Sequence, residues 1–578
     1  MAFWDTVLST TNAKSYGRRL IPNIVDDNSR QQPDRICFSY PVSHANLDHG
    51  FQDVNWRQVS VIIPLWQNCV DGDEFANAVN RMAYFLQRNV GVSSEFKTIM
   101  YMGFPDIRLY IVLVAAMKTG HKPLFSSHRN SLAGHTNLVR QTDCTVLLYT
   151  AGFPISGILE WCRLDTVKVP ELAALLDDSP CESFPYSKTF EEAKLDPCFV
   201  IHTSGSTGLP APVTCTHWSI GTTDQHHLVA PLDGRPTVWG DLFDARHRNY
   251  LAWPITSSSG IGAGITDVCF SNITIVLGPP EQATVDTIEE MIRYAQIDSI
   301  SCVPATLEEL SRRPDALANM RSLKHITYVG GSLLQTAGDI VSQYVPLVNL
   351  MASTETVSMV QHVTDREDWS YVCINPLLNG IEMRPVADLF ELIYVKKPQC
   401  ADFQGVFKVF PHLLEFSMRD LYSKHPTKPH HWKHEGRKDD IIVFRNGAKF
   451  NPMLHERLIA QHPKVHACLL VGTGRNKPAA IIELYAQYYT EDTSAQKALI
   501  KEIWPQARKA NDVADTAGQL EQRYIIFAKK AKPFEMGLKD TVQRYATTRL
   551  YGQEIEDLYT SIAVGGLGTL FRTEVGVS

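Results

Sequence analysis

Residues Thr203, Ser204, Gly205, Ser206, Thr207 and Gly208 form an unbroken run of glycines and hydroxyl-bearing side chains. Their types suit one task. Glycines let successive backbone N–H groups converge on a single anion, and hydroxyls add donors at the same point. That is the chemistry of a phosphate cradle. The run lacks the GxxxxGK[ST] order of a nucleotide P-loop, and the residues after it read LPAPV, with no cation among them. A Gly/Ser/Thr run alone is commonly a flexible linker. What favours the cradle is its neighbours: CFVIHT, ending at Thr203, predicts a buried strand, and VTCTH a second strand beyond the loop.

Such a loop needs a scaffold. At 578 residues the chain exceeds one compact core and predicts two to four structural units. Net charge is −7 with scattered basic residues, so no nucleic-acid partner is expected. Over the first 430 residues short apolar runs alternate with helical patterns, the signature of an α/β architecture. FANAVNRMAYFL puts Phe75, Val79, Met82 and Leu86 on one helical face, and DIRLYIVLVAAMKTG is a second helix closed by Gly120. Near 425–440, HPTKPHHWKHEGRKDD is poor in aliphatics and reads as an exposed linker. Beyond it HACLLVG, PAAIIELYA and RYIIFA read as strands of a small α+β unit. A helix over 495–504 is expected to end or kink at Pro505.

The 12 cysteines show no CxxC pair and read as reduced, buried small hydrophobes. No apolar leader opens the chain and no run reaches membrane-spanning length, so a cytoplasmic location with no membrane partner is expected. Residues 59–73, VSVIIPLWQNCVDGD, are apolar, contain Pro64 and fit no helix period. They read either as a surface loop or as retained intron sequence.

Five stretches in order then resemble the adenylate-forming superfamily of acyl-CoA synthetases, luciferases and nonribosomal peptide synthetase (NRPS) adenylation domains. TSGSTGLPAPV is similar to its TSGSTGxPKxV loop and NLMASTE to its YGxTE element. RDLY is similar to GDL, EGRKDD to the GRxD hinge, and PFEMGLKDTVQR to the element holding a catalytic lysine. YGRRLIPNIVDDNSRQQPDR, AAMKTGHKPLFSSHRNS and GRKDDIIVFRNGAKFNP narrow the resemblance to the adenylation domain of fungal NRPS-like enzymes of secondary metabolism. The resemblance implies an adenylation core over 1–438, with layered α/β subdomains. It also implies a small mobile α+β lid over 439–550 and a tail over 551–578. No carrier or reductase element is seen, so a thiol acceptor in trans is expected, either CoA or a phosphopantetheinyl carrier protein.

The same resemblance assigns roles. A small-molecule carboxylic acid attacks the α-phosphate of ATP, and a thiol then displaces AMP. Thr203 to Gly208 hold phosphate, Thr354 touches the α-phosphate, and Glu355 holds Mg²⁺. Met351, Ala352 and Ser353 flank the adenine, while Asp420 and Arg437 meet the ribose. Lys539 is the catalytic lysine, and Asp439 is the hinge. Trp253, Ser257, Ser258, Gly260, Gly330 and Gly331 line the acid pocket. No acidic residue in 253–264 is placed to pair with an α-amino group, which points to an aryl, α-keto or aliphatic acid. An ordinary turn at SSSG is the competing reading.

Three departures stand out: Ala211 replaces the family lysine, Asp540 the glycine after the catalytic lysine, and Met351 the adenine-stacking aromatic. They leave open a non-catalytic nucleotide-binding or interaction protein.

Overall fold

Hydrophobic runs without alternation fold as strands buried on both faces, and the chain builds two parallel sheets from them. The structure, a computed structural model, describes residues 15–57, 73–128, 130–203, 209–241, 247–280, 283–386, 388–446, 448–512, 518–537 and 541–573. Apart from Asp73, the segment read as a loop or retained intron lies outside these residues.

The described chain divides into two compact units. One holds the residues up to Thr203, 209–418 and 422–435; the other holds 419–421 and everything from Gly436 on. In the first unit an eight-stranded sheet runs Leu347–Asn349, His325–Tyr328, Ser299–Cys302, Arg248–Leu251, Thr274–Val276, Ile36–Pro41, Phe51–Asn55, Asp73–Glu74. Only the pairing of Ile36–Pro41 with Phe51–Asn55 is antiparallel. A six-stranded sheet runs Asp165–Lys168, Val146–Tyr149, Thr98–Met102, Lys122–Phe125, Pro197–Thr203, Ala211–Thr216. Its last pairing is antiparallel, with Thr203 opposite Ala211, so the Gly/Ser/Thr run does join two strands.

The helix Phe75–Asn89 buries Phe75, Val79, Met82 and Leu86 completely, as its spacing predicts. It packs on Arg108–Lys118, all eleven residues of which are buried. Gly120 follows at φ +72°, and a Cβ there would meet the Ser93 carbonyl oxygen at 2.0 Å, so only glycine serves.

Two expectations need correction. The boundary between the two units does fall in the 425–440 stretch, after Glu435, but the stretch is not an exposed linker throughout: His431–Arg437 is a strand of a second six-stranded sheet, next to Tyr371–Ile374 and Glu415–Lys424. Its polar residues are held by pairing. His431 is buried, and Lys428 bonds Asp365 at 2.9 Å and also Asp368. Of the two outcomes expected at Pro505, an end or a kink, the first does not occur: its helix runs Thr493–Asn511. Ile503, Ala507 and Ala510 on both sides of the proline are buried, and that packing outweighs one lost backbone bond.

The second unit packs helices on a three-stranded sheet, Val465–Val471, Ala479–Leu484 and Ile525–Phe527. Its core includes Tyr551 and Ile555, so it extends into the stretch that the sequence assigns to a tail. No helix among the described residues is long and apolar enough to cross a membrane.

The buried histidines make stability pH-dependent. Desolvation pushes His121, His135, His202 and His217 down to about 4, and His226 and His325 to about 3. An unfolded chain takes up these protons near pH 6.5, whereas the fold refuses them until about pH 4. Protonation therefore favours unfolding below pH 6.5. The urea midpoint of the first unit should be flat from pH 7 to 8 and fall steadily between pH 6.5 and 4. A midpoint unchanged at pH 5 would contradict this.

Candidate functional site

In open α/β sheets, ligands collect at the C-terminal ends of parallel strands. Each candidate segment of the first unit follows such an end. Thr203 closes Pro197–Thr203, and Trp253 comes two residues after Arg248–Leu251. Gly330 and Gly331 follow His325–Tyr328, and Met351 to Glu355 follow Leu347–Asn349. Ser204, Gly205, Ser206, Thr207, Gly208, Lys539 and Asp540 lie outside the described residues.

The anchoring of the loop's two flanks is visible. His202 is buried, and its Nε2 accepts from the Ser127 N–H at 3.2 Å and from the Asn130 amide at 3.1 Å. Burial keeps this imidazole neutral, and the two donors place its proton on Nδ1. On the other flank the Asn137 amide donates to the Pro210 carbonyl at 2.9 Å. Ser127 and Asn130, with Asn137 of the helix Leu132–Gln141 that follows, thus hold both flanks. Sequence reading did not single out Asn130 or Asn137.

Thr354 and Glu355 sit at the tip of a tight hairpin in which Ala352–Ser353 pairs with Val357–Ser358. Ser353 and Thr356 close it reciprocally: each side chain accepts from the other's N–H, at 3.1 and 3.2 Å. Val357 is held at φ +64°, a costly conformation for a β-branched residue that marks a strongly determined turn. The Thr354 hydroxyl donates to Ser258 Oγ at 3.0 Å, bringing a candidate phosphate residue and a candidate acid-pocket residue together.

The SSSG stretch is not a plain turn: it opens a helix. Ser257 is buried and accepts from the Gly260 N–H at 3.1 Å, capping the helix Ser258–Phe270. Gly260 is required because a Cβ would come within 2.4 Å of the Pro254 carbonyl oxygen. Trp253 is buried in the main core, whereas Ser258 remains half-buried. Gly330 is exposed at φ +100°, and beside Gly331 a Cβ would find only Pro304, at 4.0 Å.

Met351 is half-buried. Its N–H donates to Gln361 Oε1 at 3.1 Å, and its sulfur accepts from the Tyr422 hydroxyl at 3.0 Å. In the second unit, Arg437 lies 3.9 Å from Asp420 and 3.7 Å from Asp439. Asp439 also pairs with Arg419 at 3.0 Å. The candidate ribose residues and the candidate hinge residue therefore form one charge cluster.

With this geometry in place, the comparisons are specific. The AMP-binding enzyme family matches residues 70–391, and the AMP-binding enzyme C-terminal domain matches 439–563. The chain belongs to this adenylate-forming family. Among its relatives, a carboxylic acid reductase of Neurospora crassa is 33% identical over 95% of this chain and 51% of its own. The isocyanide synthase-NRPS hybrid crmA of Aspergillus fumigatus is 30% identical over 94% of this chain and 34% of its own. The adenylate-forming reductase Nps10 of Heterobasidion annosum is 26% identical over 95% and 50%. The chain thus spans about half or less of these relatives' length. Among solved structures, a benzoate CoA ligase of Burkholderia xenovorans superposes at TM-score 0.64, with 15% identity over 91% of this chain and 99% of that one. The O-succinylbenzoate CoA synthetase of Bacillus subtilis, solved with ATP and magnesium, gives 0.65 at 15% identity over 91% and 99%. At this identity the likeness shows the fold.

Proposed function

We propose that this chain is the acid-activating part of a fungal-type NRPS-like enzyme. It joins a carboxylic acid to ATP, releasing pyrophosphate, and passes the acyl group from acyl-AMP to a thiol. The observation that carries the reading is the Thr354–Ser258 hydrogen bond, which sets a phosphate-side hydroxyl beside the acid-side helix at the ends of parallel strands.

Negative charge grows on the α-phosphate and on departing pyrophosphate, so donors fixed in advance lower the barrier. Thr203 to Gly208 and Thr354 supply them. Glu355 offers a half-buried hard oxygen donor that fits Mg²⁺, which when bound neutralises phosphate charge. Asp420 and Arg437 orient the ribose, and Lys539 draws the two anions together. Residues 1–438 serve as the adenylation core, and the lid from Asp439 presents Lys539.

The acid is aryl, α-keto or aliphatic. Asp267, the carboxyl of the acid-side helix, is fully buried, and desolvation pushes its pKa well above the usual carboxylate range. Burial disfavours its charged form, and 253–264 holds no acidic residue to pair with an ammonium group. The thiol is that of CoA or of a phosphopantetheinyl carrier.

Carboxylate-dependent ATP–pyrophosphate exchange over a panel of acids tests this. Exchange with aryl, keto or aliphatic acids is expected, and exchange confined to α-amino acids would overturn the substrate class. Exposed Ala211, at the position of the family lysine, favours one competing reading, a nucleotide-binding protein without turnover. ATP binding without exchange for any acid would select it. Restoring the cation by Ala211→Lys should tighten pyrophosphate about tenfold, the worth of one charge-assisted contact. Inhibition of exchange by added pyrophosphate measures that change.

A further inference from the structure

We infer that Tyr422 and His434 are positioning residues of the nucleotide site: Tyr422 holds Met351, which stands where the family uses a stacked ring, and His434 ties Tyr422 to Ser332, beside the candidate acid-pocket glycines. The inference rests on the adenylating role proposed above. A methionine side chain has three rotatable bonds and adapts to many shapes, so on its own it makes a poorly ordered wall for a flat base. Here it is tethered at both ends. Its backbone N–H is held by Gln361 at 3.1 Å, and its sulfur accepts the Tyr422 hydroxyl at 3.0 Å. Tyr422 is itself fully buried in the core of the antiparallel sheet, so its ring is fixed independently of any ligand.

The second tether continues from the first. The His434 ring stands edge-on to Tyr422, with centroids 5.5 Å apart and planes at 71°. Ser332 Oγ lies 2.8 Å from His434 Nδ1 and 3.1 Å from the His434 carbonyl oxygen. Ser332 directly follows Gly330 and Gly331, whose open backbone has no side chains to pin it. The chain Met351–Tyr422–His434–Ser332 thus links two candidate segments, 330–332 and 351–355, to adjacent strands of one sheet. Preorganisation of this kind lowers the ordering penalty of binding.

A double-mutant cycle on ATP affinity tests the tether. Tyr422→Phe keeps the ring and removes the donor, while Met351→Leu keeps the apolar wall and removes the acceptor. Each should raise KM for ATP about three- to tenfold, the range of one net hydrogen bond, with a smaller change in kcat. The double variant should be no worse than either single one, because both break the same contact. Additive losses, or a Tyr422→Phe variant with the wild-type KM, would overturn the inference. Should Tyr422→Phe fail to fold, Ser332→Ala reads the second tether. A severalfold rise in KM for ATP supports it, and an unchanged KM overturns it. A wild-type chain that binds no ATP overturns the adenylating role together with this inference, whereas ATP binding unaffected by the variants overturns the inference alone.

Discussion

Lys539→Ala should cut carboxylate-dependent ATP–pyrophosphate exchange on the order of 10²- to 10³-fold, the loss typical of one transition-state donor. The two reactants of the proposed first step are both anions, a carboxylate and a triphosphate. Their approach is opposed until a cation sits where both charges are felt. A lysine that meets the pair only in the transition state changes kcat more than ATP affinity. The expected signature is therefore a collapsed exchange rate at saturating ATP with a dissociation constant for ATP altered only severalfold. Lys539→Arg keeps the charge but not the compact ammonium and should recover only part of the rate. Full exchange in Lys539→Ala would remove this residue from the mechanism. The neighbouring Asp540 sharpens the test. If its carboxylate pairs with the Lys539 ammonium and competes with the substrate, Asp540→Gly raises the exchange rate; an unchanged rate would show that Asp540 does not engage Lys539.

Local chemistry made some of this site legible in the sequence. The strand–loop–strand setting of the Gly/Ser/Thr run followed from CFVIHT and VTCTH, whose apolar character does not depend on distant neighbours. The helix face of Phe75, Val79, Met82 and Leu86 was equally local, since spacing alone decides it. Other features depend on pairing. The stretch HPTKPHHWKHEGR has a linker's composition, yet His431–Arg437 pairs inside a sheet. Lys428 finds Asp365 and Asp368 some sixty positions away, and no window of sequence contains that contact. Tyr422 and His434 escaped for the same reason. Their partners, Met351 and Ser332, are 71 and 102 residues distant, and neither pair has a spacing rule. In RDLY the tyrosine looks like one more apolar strand residue, and only the fold shows where its hydroxyl goes. Ser257 and Gly260 show structural roles that residue type alone does not reveal, a helix cap and a close backbone approach.

Arg544→Met should loosen the second unit by about 3 kcal/mol, the lower end of the range for breaking a buried ion pair. The lower end applies because Arg544 retains 19% of its side-chain exposure, so solvent screens part of the interaction. Its guanidinium meets both Glu456 oxygens at 2.6 and 2.7 Å, the Leu470 carbonyl at 2.6 Å and Asp440 at 3.2 Å. Glu456 also accepts from the Leu470 N–H at 2.6 Å. One side chain therefore joins the helix Met453–Ala460, the strand Val465–Val471 and the residue after the candidate hinge. Without it, Glu456 is left in a largely buried setting with fewer partners. Hydrogen exchange on the full chain separates this from a global effect. Protection should fall in Val465–Val471 and Ala479–Leu484 and hold in Ser299–Cys302 of the first unit. Replacing Glu456 as well, by Leu, should restore much of the lost protection, because a buried pair exchanged for apolar side chains no longer strands a charge. Equal protection in the single variant would show that the core around Ile481 and Ile503 carries the unit without this network. A restored fold with a slow second half-reaction would instead assign Arg544 to the hinge through Asp440.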